Sequence, residues 1–464
     1  MKTRFAPSPT GMLHIGGVRT ALFAWLAAKH DGGTFVLRIE DTDRERLVEG
    51  SEQQIIDSLK WLGIESDEPV VRQSERLGLY REYAQKLIDK GLAYADPFSK
   101  EELDAFREQA KAEKRAFLYR HHRPENPPVW DGSQPLRLKT PEIKRMEWHD
   151  VVRGDLSAGE DALDDFILLK AADENGDCYP TYNFCHIVDD HEMGITHVLR
   201  GEEFIASTPK FLSLYDALEI DRPVLATMPP ILGKEGGKKL SKRDGSKSTL
   251  DYRDEGFLSE AVVNFLVNMG WNDGTDKEIY STDELIEAFS LERIQKSPAR
   301  FDEAKLSWIN WQHIVRMIEN DEQRLMKLLD DRGVSYESEN FSAVTKLAAT
   351  KSRNLEDFLD QISIFWSDIS VAVEAIDLPK IDADLTIDSA QKIIEYAKEK
   401  LQLVEFRAEE IESKLRAMIE ELEIQPRTVL MLLRDKITGK KVSPSLFETM
   451  ELLGREEVLR RLAV

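Results

Sequence analysis

The chain has 464 residues, with 63 Lys and Arg against 86 Asp and Glu for a formal net charge of −23. It is 41% hydrophobic and 32% charged, which excludes an intrinsically disordered chain and a generally basic nucleic-acid coat protein. Local basic surfaces remain open, because a polyanion responds to the nearby field and not to the sum.

In chain order, residues 3–6 read as a short strand, and Pro7, Ser8, Pro9, Thr10 and Gly11 then impose a turn. Residues 20–29 (TALFAWLAAK) form an Ala- and Leu-rich helix closed by Gly32 and Gly33, and residues 34–39 (TFVLRI) read as a second strand. Strand, helix, strand in this order predicts a parallel α/β sheet with ligands at the carboxyl ends of its strands. Residues 51–90 and 99–117 read as helical, followed by a break at Pro124, Pro127, Pro128 and Pro135. Residues 136–170 carry strand-like pieces and predict an inserted mixed subdomain. The α/β pattern resumes from 179 to about 230, and helical periodicity dominates from 256 to 464.

At about 150 residues per domain this length predicts three domains or more. Two cysteines, Cys178 and Cys185, allow one bridge at most and fit a reduced cytoplasmic protein. The longest apolar run near the N-terminus, 20–28, is far shorter than the ~20 residues of a membrane span, so no membrane association is expected.

Two segments carry the chemistry. The first runs from Arg4 to Gly17 (RFAPSPTGMLHIGG), where two glycines open a helix directly after a turn. Such an opening bares backbone N–H groups and a positive dipole end, a ready site for phosphate, with His14 beside it as a donor. His-x-Gly-Gly alone describes a plain loop-to-helix cap equally well. The charge pattern favours the phosphate: Lys2, Arg4, Arg19 and Lys29 are basic, and no acid precedes Asp31. The second segment is 238–245 (KKLSKRDG), within a stretch from 234 to 253 holding seven basic and three acidic residues. Its flanking glycines predict a basic loop able to close over a polyphosphate. A solvated surface loop is the plainer alternative.

Together these segments resemble the signatures of class I aminoacyl-tRNA synthetases. His14-Ile-Gly-Gly17 is similar to their HIGH motif, with glycine in place of the second histidine, and Lys239-Leu-Ser-Lys-Arg243 is similar to KMSKS. The finer resemblance is to bacterial glutamyl-tRNA synthetases. It is carried by the whole string from Arg4 to Gly17, by RIEDTDR (38–44), YPTY (179–182), VDD (188–190) and HVLRGEE (197–203). The resemblance implies a Rossmann-type catalytic domain split as 1–90 and 171–232, with an acceptor-end-binding insertion at 91–170. It further implies a stem-contact region at 233–305 and two helical anticodon-binding domains at 306–370 and 371–464.

The activity implied is activation of L-glutamate with ATP and transfer of glutamate to the 3′-terminal adenosine of tRNA(Glu), by a cytoplasmic monomer using ATP with Mg²⁺. The attacking carboxylate is already ionised at pH 7, so this chemistry needs no general base. It needs two anions aligned and phosphate charge neutralised. By resemblance, His14, Lys239 and Lys242 are the catalytic residues. Pro7, His14, Gly16, Gly17, Lys239, Ser241, Lys242 and Arg243 hold ATP. Arg4 meets the glutamate side-chain carboxylate with support from the Tyr182 hydroxyl, since a guanidinium binds a carboxylate bidentately. Glu40 accepts the α-ammonium group, Arg200 lies close to the pocket, and Ala6 and Ser8 complete it. Outside this context, Arg4 would read as a surface salt bridge and Tyr182 as a core tyrosine.

Many relatives carry a zinc knuckle of cysteines near 93–98. No cysteine occurs between Met1 and Asp177 here, and His121 and His122 alone cannot make a four-ligand site, so no zinc is expected. In the helical half, Trp308, Trp311 and Trp366 are expected in the core. An all-helical C-terminus argues against a glutaminyl enzyme, which ends in β-barrels, and against a tRNA-modifying glutamyl paralogue, which lacks the helical domain. His14, Lys239 and Lys242 argue against a catalytically idle RNA-binding module. Basic character gathers in 2–29, 234–253 and 427–461, which predicts one basic track facing RNA and ATP.

Overall fold

The computed structural model describes residues 1–233, 247–337 and 339–463. The chain divides into two compact units, Met1–Glu303 and Ala304–Val464.

The first unit is organised by a five-stranded, all-parallel sheet. Its elements are β1 (Lys2–Phe5), α1 (Ile15–His30), β2 (Thr34–Ile39), β3 (Val71–Arg72), α2 (Tyr182–Glu192), β4 (His197–Gly201), α3 (Thr208–Leu218) and β5 (Val224–Met228). The strand order is β5-β4-β1-β2-β3, so the chain moves outward one way from β1 and returns to fill the other side. The order therefore reverses between β1 and β4, the place where open parallel sheets take their ligands. Thr3 shows the join: it pairs with Phe35 on one side and His197 on the other.

Helix α1 is apolar nearly all round because it is covered nearly all round, with Ala21 to Ala28 buried without interruption. The Thr3 hydroxyl donates to the Ala24 carbonyl at 2.6 Å and ties strand to helix. The helix begins at Ile15, five residues before the expected start, because the His14 ring caps it. The expected helical stretch 51–90 is two helices, Ser51–Trp61 and Leu77–Asp89, separated by β3. That strand has only two residues, too few to show a period, and it exists through its pairing with Arg38 and Ile39.

The inserted segment folds as expected into mixed structure. Strands Ala93–Ala95, Leu136–Leu138 and Ile167–Leu169 form an antiparallel sheet, and Arg145–Asp150 pairs with Gly154–Gly159 as a hairpin. Its core holds Asp165, which accepts from Tyr94 Oη (2.6 Å), Arg123 Nε (2.7 Å) and the Thr140 amide (2.9 Å). These donors keep its carboxyl below the usual range against the upward push of burial. Cys178 and Cys185 are free and buried.

The second unit is helical, with a core formed between Ile387–Gln402, Ala408–Leu422, Pro426–Thr438 and Leu446–Ala463. Trp311 is buried, and Trp366 stacks on Phe341 at 5.7 Å. Trp308 departs from expectation: it is 41% exposed. Among the described residues no helix is long and apolar enough to cross a membrane.

The entry to β2 has no room for a side chain. A Cβ on Gly33 would lie 1.9 Å from the Met1 carbonyl oxygen, the atom that accepts the Thr34 amide at 3.0 Å. Gly33→Ala must push β1 and β2 apart, and is expected to cost about 2–3 kcal/mol of stability. A denaturant titration checks this; an unchanged midpoint would contradict it.

Candidate active site

Two adjoining cavities open at the carboxyl ends of the central strands. The larger, about 540 Å³, is lined by Arg4, Ala6, Ser8, Glu40, Tyr182 and Arg200 among others. The smaller, about 250 Å³, is lined by His14, Gly16, Gly17 and Arg19 and by the segment from Met228 to Ile231. Thr20, Gly201 and Glu203 line both, so these three form the shared wall.

The larger cavity rests on a buried charge network. Arg38, fully buried on β2, donates to Asp190 at 2.6 Å and to Glu40 at 3.0 Å, and its Nε lies 3.7 Å from Asp189. Arg4 on β1 donates through Nε to Asp190 at 3.2 Å and through Nη1 to the Leu199 carbonyl at 3.3 Å. Burial would raise the Asp190 carboxyl, but Arg4 and Arg38 overcome it and hold the group at about 2. Burial wins for Glu40, whose pKa lies above the ordinary carboxylate range despite the pull of Arg38 and Arg4. Asp189 accepts from Gln73 and Tyr80, both at 2.8 Å, and Arg76 lies 2.8 Å away off the hydrogen-bond line.

Arg200 is different. It is 6% exposed and donates one N–H to the Thr208 hydroxyl at 2.9 Å, while its Nε is buried without a partner. Its guanidinium lies over the Phe211 ring, 4.9 Å from the centroid. Burial lowers its pKa, and among the described residues it forms no ion pair with a carboxylate. A desolvated cation in this state is completed by an anion from outside. Beside it, Tyr182 opens α2 with its ring stacked on His186 at 4.5 Å, and His186 packs edge-on against Phe211. Burial pushes the His186 pKa down to about 3, so this support is a neutral ring.

In the smaller cavity, His14 Nδ1 accepts the Gly16 amide at 3.1 Å, and the Gly17 amide donates to the His14 carbonyl at 2.9 Å. The expectation that both amides are bared for phosphate is therefore corrected, since the cap engages them. What the glycines supply is space: a Cβ on Gly16 would lie 3.0 Å from His14 Cε1, and one on Gly17 2.7 Å from Leu13 Cδ1. With Nδ1 accepting, the neutral imidazole carries its proton on Nε2. Pro7 lines neither cavity; its carbonyl accepts the Glu40 amide at 3.0 Å and holds the end of β2. Lys239, Ser241, Lys242 and Arg243 lie outside the described residues.

The basic opening is used inside the fold. Lys2 pairs with Glu68 (2.6 Å), Lys29 with Asp67 (2.5 Å) and Arg4 with Asp190, while Arg19 donates to the Met269 and Pro229 carbonyls. Much of the basic tail behaves alike: Arg461 is buried against Glu457 and the Ile437 carbonyl, and Lys436 donates to Val371. These cations of the expected basic track are thus matched by partners within the fold, and most of its middle stretch, 234–246, lies outside the described residues. Arg38, Asp190 and Glu203 were given no role by sequence reasoning. The available signal was the Asp189-Asp190 pair directly after the apolar Ile187 and Val188, on the buried stretch Phe184–Asp190, which requires buried cations.

Residues 1–308 match the family described as tRNA synthetases class I (E and Q), catalytic domain, and residues 319–464 match an anticodon binding domain. Glutamate–tRNA ligase 1 of Caldanaerobacter subterraneus subsp. tengcongensis is 38% identical over 475 residues, covering 100% of this chain and 96% of that protein. The glutamate–tRNA ligase of Nitrosomonas europaea is 39% identical over 472 residues, covering 100% and 98%. The crystal structure of a glutamate tRNA ligase from Elizabethkingia meningosepticum, in complex with its amino acid, gives a TM-score of 0.85 at 33% identity, with coverage of 100% and 98%.

Asp190 should be felt in stability and in its pH dependence. Its folded pKa lies below that of an unfolded aspartate, so its contribution is complete above about pH 4 and is lost as the pH falls toward 2. Asp190→Asn leaves two buried guanidinium groups short of an anion and should cost about 3–5 kcal/mol near neutrality. Denaturant melts at stepped pH should show the variant flatter than the parent between pH 4 and 2; parallel curves would remove Asp190 from the account.

Proposed function

This chain belongs to the class I tRNA synthetases of the glutamate and glutamine type, and we propose that its larger cavity takes L-glutamate and its smaller one ATP, making it a glutamate–tRNA ligase. The observation that carries this is the charge layout around Arg200, a buried cation whose Nε has no partner. The cavity is lined by four cations, Arg4, Arg46, Lys170 and Arg200, and three acids, Glu40, Asp43 and Glu203, an excess of one positive charge that suits a ligand with two carboxylates and one ammonium group. In this reading Arg4 and Tyr182 meet the side-chain carboxylate, Arg200 supports the α-carboxylate end, and Glu40 takes the ammonium. Ala6 and Ser8 complete the wall. Asp190 already answers the guanidinium of Arg4, so the surplus positive charge of the lining suits the net negative charge of glutamate and disfavours neutral glutamine.

Activation joins the α-carboxylate to the α-phosphorus of ATP and expels pyrophosphate. His14 serves as a neutral donor through Nε2, at the positive end of α1. Lys239 and Lys242, with Ser241 and Arg243, are assigned to the phosphates, where charge grows in the transition state. Mg²⁺ accompanies ATP, and no side chain is assigned to a metal, zinc included. The 2′-hydroxyl of the 3′-terminal adenosine of tRNA(Glu) then attacks the carbonyl carbon of the adenylate, forming the ester and releasing AMP. Residues 91–170 are assigned to the acceptor end, 233–305 to the stem, and 306–370 and 371–464 to the anticodon, in a cytoplasmic monomer. The helical anticodon-binding match favours this enzyme over a β-barrel glutaminyl relative or a paralogue without that domain.

ATP–pyrophosphate exchange with tRNA present tests the reading directly, and a chain that only binds RNA would give none. Arg4→Ala and Arg200→Ala should each lower kcat/KM for glutamate by about 2–4 kcal/mol. Near-normal exchange in both would sink the pocket assignment. Lys242→Ala should slow adenylate formation far more than it raises the KM for ATP. A change confined to ATP affinity would show that this lysine does not act on the transition state.

A further inference from the structure

The turn that carries His14 is held by a residue outside both cavities. Gln54, half-buried on the helix Ser51–Trp61, accepts the Leu13 amide through Oε1 at 2.7 Å and donates through Nε2 to Ser248 Oγ at 3.0 Å and Ser58 Oγ at 3.0 Å. On the far side, the Thr249 amide and hydroxyl both donate to the Leu13 carbonyl, at 3.0 and 2.9 Å. His14 and Ser248 face each other as an antiparallel bridge. Both backbone groups of Leu13, the residue before His14, are thus satisfied by partners 41 and 236 positions away.

We propose that Gln54 is a positioning residue for the activation reaction: it clamps the His14 turn to Ser248 and Thr249, the cap and first residue of the helix Thr249–Asp254, so that the imidazole keeps one placement in the wall of the smaller cavity. A side-chain amide suits the task, because it accepts from one backbone and donates to a hydroxyl at the same time. The buried Leu13 side chain packs against Gly17, and the polar clamp adds a directional hold on its backbone. Gln54 lines neither cavity, and its removal should leave glutamate affinity unchanged while misplacing the phosphate donor.

The inference rests on the assignment of His14 to ATP, and the experiment separates the two. Exchange by the unmodified chain and its loss in His14→Ala test that assignment. Gln54→Ala, assayed at saturating ATP and glutamate, should lower kcat about 10- to 100-fold with the KM for glutamate unchanged. Ser248→Ala combined with Gln54→Ala should be no slower than Gln54→Ala alone, since both act through one clamp. Independently of activity, amide hydrogen exchange over residues 12–17 should quicken in Gln54→Ala. An unchanged kcat, strictly additive effects, equal factors in kcat and KM, or unchanged amide protection would each overturn the clamp. A melting curve on each variant converts rates to folded enzyme; a loss of kcat that disappears on this correction overturns it too.

Discussion

A guanidinium with no exposure to water is the constraint on which this molecule turns. Arg38 faces three carboxylates, Asp190, Glu40 and Asp189, and burying it is tolerable only while they stay in place. Those acids arrive from two different elements, the end of β2 and the middle of α2. The pairing therefore fixes how α2 lies against the sheet. Arg4 on β1 completes the link by sharing Asp190 with Arg38. Three elements are locked by charges that cannot be removed singly without leaving another uncompensated.

The function grows from what this lock leaves over. Arg4, Arg38 and Arg76 stand against Asp189, Asp190 and Glu40, a cluster of matched sign. Arg200 then stands apart as a buried cation over aromatic rings with an unsatisfied Nε. The surplus is displayed at the switch point of the sheet, where β1 and β4 splay apart and their carboxyl ends make room for a ligand. An amino acid with two carboxylates and one ammonium group carries one net negative charge and fits that single surplus cation, which a net-neutral amino acid does not. The smaller cavity is built on different physics: a histidine caps a helix, two glycines keep side chains out of the way, and the start of the helix Thr249–Asp254 docks on the turn.

Legibility varied with the range of the interaction. The strand–helix–strand opening was readable because each element is formed by neighbouring residues. His14, Gly16, Gly17, Arg4, Glu40, Tyr182 and Arg200 all line the two cavities, and the motifs that pointed to them are short strings. The two-residue β3 was not readable, since it exists only as an edge partner of β2. The basic opening was misread because a list of charges does not state their partners. Glu68 and Asp67, which neutralise Lys2 and Lys29, lie dozens of positions downstream. Trp308 failed for a related reason: an indole in an amphipathic helix faces the core or the solvent according to the packing around it.

The order of residues alone established the α/β class, the motifs that mark the family and the helical second half, because each is encoded by local spacing and by chemistry that few other sequences share. The folded chain decided which arginine is spent and which is available. It also decided that the glycine amides serve the cap, and that Gln54 reaches across to Ser248. These outcomes depend on contacts between residues as far apart as 13 and 249, and no local pattern reports whether a buried charge has already met its counter-ion.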